Sequence, residues 1–205
     1  MLATTQGAPP KSVLTWTKKE GNTKQKMGPF PGDTLTYAQI LPRLFVGSHP
    51  RTIADIELLR QQLGVTAVLN IHTDQDMSAV LLDFQPLEAH YRTSSVELRR
   101  VPMLEQQPEL RAKLYACIDA LNDLLAAGHT VYLHCTAGIG RAPTVAIGYL
   151  HFHLGWDWDV AVAHVKRLRE CNPHLEALRL ALEDQALGGE ATDETSVESS
   201  PRRKS

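Results

Sequence analysis

Residues 130–144 read Thr-Val-Tyr-Leu-His-Cys-Thr-Ala-Gly-Ile-Gly-Arg-Ala-Pro-Thr and leave the backbone little choice. Thr130 to His134 is apolar or β-branched at most positions, which predicts a short buried strand. A helix is predicted to start after Arg141, because Pro143 then falls in its first turn, where a missing N–H costs nothing. The loop from Cys135 to Arg141 must join the two, and Gly138 and Gly140 permit its tight path. Such a loop aims successive backbone N–H groups into one concavity, at the positive end of the following helix dipole. It is a socket for an oxyanion, best fitted by phosphate. Thr136, Ala137, Gly138, Ile139, Gly140 and Arg141 line it, with Cys135 at the base and Arg141 at the rim.

A thiol is a nucleophile only as thiolate, and aimed amides, a helix N-terminus and an arginine are surroundings that favour that form. Arg141 is planar and always charged, so it suits a bidentate grip on two phosphoryl oxygens. Cys135 is therefore the candidate phosphoryl acceptor, forming a phosphocysteine that water hydrolyses.

The chain around this stretch alternates strands and helices. Residues 40–46 read as an edge-like strand, demoted from the sheet centre by Pro42. A helix is expected over 52–63, ended by Gly64, and a doubly buried strand over 65–71. Residues 78–91 suggest a helix interrupted at Pro86, 96–103 a strand, and 108–127 a helix closed by Gly128. Two more helices are expected, over 156–171 with Val160, Ala163 and Leu168 inward, and over 173–187. The alternation predicts one α/β domain at 33–188, with a largely parallel central sheet flanked by helices on both faces. Residues 1–32 and 189–205 are expected to be disordered tails.

Composition narrows the partners. A net charge of −2 argues against nucleic acid or an anionic membrane as the main partner, and no apolar run is long enough to span a bilayer. Three irregularly spaced cysteines suggest a reducing compartment without a disulfide framework, hence a cytoplasmic location. The lysine-bearing, arginine-free segment 1–32 leaves a plastid or other organelle open as the alternative. Cys117 lies on the inward face of its helix, and Cys171 reads as structural, with a redox partnership to Cys135 left open. Asp74 and Asp76 read as capping or holding the neighbouring loop. Trp156-Asp157-Trp158 is a helix-start staple with Asp157 as N-cap, or alternatively a sugar-stacking surface. No ligand set with workable spacing accompanies His134, His151 or His153, so neither a metal nor another cofactor is expected, and nothing fixes the oligomeric state.

His134-Cys135-(x)5-Arg141 resembles the signature of the cysteine-dependent dual-specificity phosphatases. The fuller string Cys135 to Pro143 is similar to the glucan phosphatase branch, laforin and the plant starch phosphatases. The resemblance runs from about Tyr37 to Leu187 and includes Leu44 to Ser48, Asp55-Ile56, Gly64 to Asn70 and Cys171 to Leu175. It implies the dual-specificity phosphatase fold, a phosphorylated glucan or protein as substrate, and a supporting role for His134 in ordering the loop and the thiolate. It also implies an Asp on a loop ahead of the cysteine as general acid. No Asp occurs between Asp83 and Asp119, so Glu105, 30 residues before Cys135, is the substitute, with Glu109 second. Ala142, where protein phosphatases of this class carry Ser or Thr, matches the glucan branch. Gln106 and Asn172 stand where glucan-gripping relatives place aromatics. The alternatives are a phosphotyrosine or phosphoserine protein phosphatase and a phosphate-binding pseudophosphatase.

Overall fold

The computed structural model describes residues 35–190; the expected tail at 1–32 lies outside them, as does 191–205. Instead of one strand over 40–46, the chain opens with a hairpin of β1 (Tyr37–Leu41) and β2 (Leu44–Gly47). Pro42 and Arg43 form the turn, with Leu41 paired to Leu44. Locked φ and a missing N–H suit proline better to a turn than to a strand edge. Helix α1 (Ile53–Leu63) follows, opened by a Thr52/Asp55 capping box and closed by Gly64.

β3 (Ala67–Asn70) is buried throughout. Beyond it come α2 (Asp74–Ala79), opened by a Thr73/Asp76 capping box, and α3 (Gln85–Thr93). The break expected at Pro86 falls earlier, over 80–84, and Pro86 sits in the first turn of α3, where its missing N–H is harmless. β4 (Glu97–Arg100) is shorter than the strand expected over 96–103, although Val101 and Met103 still donate to Asn70 and Ile71. The rest of the fold is α4 (Glu109–Ala126), β5 (Val131–His134), α5 (Arg141–Phe152), α6 (Trp158–Leu168) and α7 (Leu175–Glu190). Helix α7 runs through Gly188 and Gly189, where the domain was expected to end. Glycine costs about 1 kcal/mol in a helix but does not forbid one.

The sheet order is β1-β2-β5-β3-β4, antiparallel only between β1 and β2. The expected parallel centre is therefore present, within a mixed sheet. Strand alternation divides the core. Leu44, Val46, Leu69, Val131 and Leu133 face α4, α5 and α7 through residues such as Leu114, Ile118, Val145 and Leu178. Phe45, Val68 and Tyr132 face Ile56, Leu59, Leu87 and Tyr91 of α1 and α3. Each fully buried Leu or Ile contributes about 1.5–3 kcal/mol.

Helix α6 presents a different stripe from the expected one. Ala161 and Val165 are buried, while Ala163 is exposed and Val160 is 55% exposed. Asp157 accepts from the N–H groups of Asp159 and Val160, as expected of an N-cap. The inward positions recur at 161, 165 and 168. Trp156 and Trp158 pack partly buried against the core, in keeping with a staple. Among the described residues no helix is long and apolar enough to cross a membrane.

Candidate active site

The loop between β5 and α5 is built by its surroundings pulling every carbonyl outward. Thr136 O accepts from the backbone N–H of His49 at 3.0 Å and contacts His49 Nδ1 at 2.8 Å. Arg169 donates to Ala137 O at 2.9 Å and also to Gly138 O. Asn172 N–H donates to Ile139 O at 2.9 Å, and the Thr144 hydroxyl donates to Gly140 O at 2.9 Å. Even Cys135 O lies 3.1 Å from His134 Nδ1. Gly138, at φ 69, makes the turn that an L side chain would strain. With the carbonyls turned out, the amides face the interior of the loop and α5 begins where it ends. That is an anion site by construction.

Cys135 is buried at its base, as the spacing predicts. Arg141 is not at the rim. It is 1% exposed, with its guanidinium gripped from the protein side. Nη1 donates to Asp76 Oδ2 at 2.7 Å and to Met103 O at 2.8 Å; Nη2 donates to Asp76 Oδ1 at 3.2 Å and to Thr136 Oγ1 at 2.9 Å. The bidentate face expected to meet phosphate thus meets Asp76, and all four terminal N–H groups are engaged. Nε is buried and makes no hydrogen bond among the described residues. Burial works against the charge of Arg141, but the Asp76 bonds and the proximity of Cys135 and Glu105 outweigh it and raise its pKa. Burial likewise works to raise the Asp76 carboxyl, yet donation from Arg141 and Thr73 holds it below its ordinary value. Asp76 is therefore a fixed anion at neutral pH, locked by its own capping box.

Beneath the loop three imidazoles lie in a column, one pair tilted and the other edge to face. His49 and His72 have ring centres 4.9 Å apart, and His72 and His134 5.6 Å. Burial is the leading cause that pushes all three pKa values down, His72 to about 4. His72 Nε2 lies 2.9 Å from Thr136 Oγ1, so the column supports the same hydroxyl that receives Arg141. His134 points away from the socket, as its strand position predicts. Its contact with Cys135 is to the carbonyl oxygen and not the sulfur.

Glu105 reaches the site from the segment between β4 and α4. Its Oε2 lies 3.8 Å from Arg141 Nε and its Oε1 3.2 Å from His174 Nε2. The side chain is 51% exposed, so it stands at the mouth. Glu109 is the first residue of α4, and among the described residues it makes no hydrogen bond to the site. The sequence pattern gives no role to Arg169, His49 or His72, and marks His174 only within the string Cys171 to Leu175, because each acts on a residue far along the chain.

Cys117 is core, as expected: fully buried near Val101 O and Met103 Sδ, with its thiol pushed up to about 12 by burial. Cys171 is half-buried, and burial raises its pKa. It borders a cavity of about 440 Å³ beside the loop, lined also by Thr36, Ala137, Ile139, Arg169 and Asn172. Among the described residues no group of three His, Cys, Asp or Glu side chains is arranged to hold a metal ion.

The geometry agrees with what the chain is similar to. The dual specificity phosphatase catalytic domain matches residues 44–180. Mouse (Mus musculus) laforin is 33% identical over 134 residues, covering 60% of this chain and 41% of laforin. The chloroplastic phosphoglucan phosphatase LSF1 of Arabidopsis thaliana is 30% identical over 151 residues, covering 73% of this chain and 25% of that protein. The chain therefore spans less than half the length of either. The crystal structure of PTPMT1 superposes with a TM-score of 0.60 at 21% identity, over 75% of this chain and 99% of that one. The human tyrosine phosphatase-like serine/threonine/tyrosine-interacting protein superposes at 0.59 and 22% identity, over 74% and 97%. Both show the same fold. With the catalytic domain matched over residues 44–180, most of the described residues, the chain belongs to the dual specificity phosphatase family.

Proposed function

We propose that this chain hydrolyses phosphate monoesters through a phosphocysteine on Cys135, and that phosphoglucans are its substrate class. The observation that carries the proposal is the loop from Cys135 to Arg141, with carbonyls turned outward and amides inward around the sulfur. The Cys135 thiolate attacks phosphorus, the bond to the ester oxygen breaks, and Glu105 gives that oxygen a proton. Water then attacks phosphorus, the sulfur–phosphorus bond breaks, the Glu105 carboxylate takes the water's proton, and inorganic phosphate leaves. Arg141 supplies fixed positive charge beneath the reacting group, with Nε as its remaining donor. Asp76, held ionised by Arg141, is unsuited to giving a proton, which leaves the role to Glu105.

Two things support a glucan. The variable loop positions Thr136, Ala137 and Ile139 are uncharged, and the neighbouring cavity offers Thr36 and Asn172 as partners for sugar hydroxyls. Two relatives named as phosphoglucan phosphatases match 73% and 75% of this chain. Phosphate release should be measured in parallel from amylopectin, phosphotyrosyl and phosphoseryl peptides, and nitrophenyl phosphate. The expected result is release from the glucan, with Cys135→Ser at least about a hundredfold slower on every substrate and unchanged in circular dichroism. Release from the peptides with none from glucan would make it a protein phosphatase. A wild type inert on nitrophenyl phosphate would be a phosphate-binding pseudophosphatase.

A further inference from the structure

Glu105 and His174 come from separate segments and meet over the last residue of the loop. A Cβ on Gly140 would lie 2.7 Å from His174 Nε2 and 2.8 Å from Glu105 Oε1, so both side chains press directly on the Gly140 backbone. His174 is pinned there. Its backbone N–H donates to Thr144 Oγ1 at 2.8 Å, and the Thr144 hydroxyl donates to Gly140 O at 2.9 Å. Gly140, Thr144, His174 and Glu105 therefore form a closed chain of contacts that begins and ends on the loop.

We propose that His174 is a positioning residue for proton transfer, donating its Nε2–H to Glu105 Oε1 and so holding the carboxyl over the socket. The proposal rests on Glu105 being the general acid. A glutamate on an irregular segment, half exposed, has three side-chain torsions to fix, and ordering it costs conformational entropy. Arg141 alone is a poor tether, since its Nε is 3.8 Å from Oε2 and its charge is already matched by Asp76. A second contact on Oε1 fixes the plane of the carboxyl and leaves Oε2, the oxygen nearer Arg141, to carry the transferable proton. His174 can set that plane because its own place is fixed by the loop it serves.

The test compares an alkyl phosphate, whose leaving oxygen needs a proton, with nitrophenyl phosphate, whose leaving group needs little. In single-turnover experiments, which read transfer of the phosphoryl group to Cys135 and not the later hydrolysis common to both esters, His174→Ala should slow the alkyl ester by about tenfold or more while changing nitrophenol release by less than about twofold. His174→Gln, whose side-chain amide is also a donor, should recover most of the loss. In a Glu105→Gln background, His174→Ala should add no further loss. Melting temperatures of each variant identify any that fail to fold. Equal losses on both esters, no recovery with Gln, or additive losses in the double variant would each overturn the proposal. If the wild type turns over neither ester, the phosphatase reading fails and takes this one with it, an outcome distinct from the other three.

Discussion

Arg141 is a charge buried at 1% exposure, and it is tolerated there because Asp76 faces it with both carboxylate oxygens. Removing one partner of such a pair costs about 3–5 kcal/mol, since the survivor stays buried and unpaired. Asp76→Asn keeps the side-chain shape but removes the charge and turns one of the two acceptor oxygens into a donor. The variant should melt well below the wild type and lose activity mainly through a raised KM, because the guanidinium loses its orientation. A bound oxyanion would restore the missing charge, so inorganic phosphate should raise the melting temperature of Asp76→Asn more than that of the wild type. Equal melting temperatures and equal phosphate effects would show that Asp76 does not carry Arg141. This residue also marks the limit of what the sequence shows. Cys135, Gly138 and Arg141 are legible because the loop is local and its spacing is its geometry. Asp76 could be read only as a cap or loop holder, because its second bond is made with a residue far along the chain. Arg169 carried no signal, and His174 only a place in the string Cys171 to Leu175 without a role, for the same reason.

Helix caps illustrate how the same local energy serves different ends. Thr73 caps α2 and donates twice to Asp76, through its backbone N–H and its hydroxyl; Asp157 caps α6 far from the loop's arginine. Replacing either by Ala should cost about 1 kcal/mol of stability. Thr73→Ala should also lower kcat/KM by several-fold, because it loosens the carboxylate that holds Arg141, whereas Asp157→Ala should leave kcat/KM unchanged. Thermal melts and nitrophenyl phosphate kinetics on the two variants decide it, and an equal kinetic effect would separate the α2 cap from the site. Asp157 was legible as a cap from its place ahead of an apolar run, whereas Thr73 was not, since the polar residues that follow it hide the start of α2. The phase of α6 was not legible either: Val160 and Ala163 are as apolar as Ala161 and Val165, and only docking against β1 and α5 selects among them. The hairpin at Pro42 was obscured in the same way. Leu41 and Leu44 continue one apolar run, and the chain reversal between them is fixed by pairing of β2 with β5.

At the scale of the whole molecule, the crossovers that order the sheet bring the C-terminal ends of β2, β3 and β5 side by side. His49 and His72 lie just beyond the first two of these ends, and His134 is the last residue of the third. The histidine column is thus a consequence of topology, and no stretch of sequence displays it. Besides His49 and His134, the charged groups facing His72 are Asp76, Arg141 and Arg100. Burial is the main reason that His72 is pushed from the ordinary 6.5 down to about 4, with the neighbouring His49 adding to it. In the unfolded chain the same imidazole takes up its proton near 6.5. Between those two values the unfolded state binds a proton that the folded state refuses, so stability falls as pH drops through the window and levels off below it. His49 and His134, also lowered, add to the loss in the same direction. The melting temperature should therefore hold above about pH 7 and decline steadily toward pH 4. His72→Gln can still meet Thr136 Oγ1 with its amide but cannot titrate, so its melting temperature should fall less over the same range. Identical slopes for the two proteins would mean that the proton is bound elsewhere and that His72 supports the loop by shape alone.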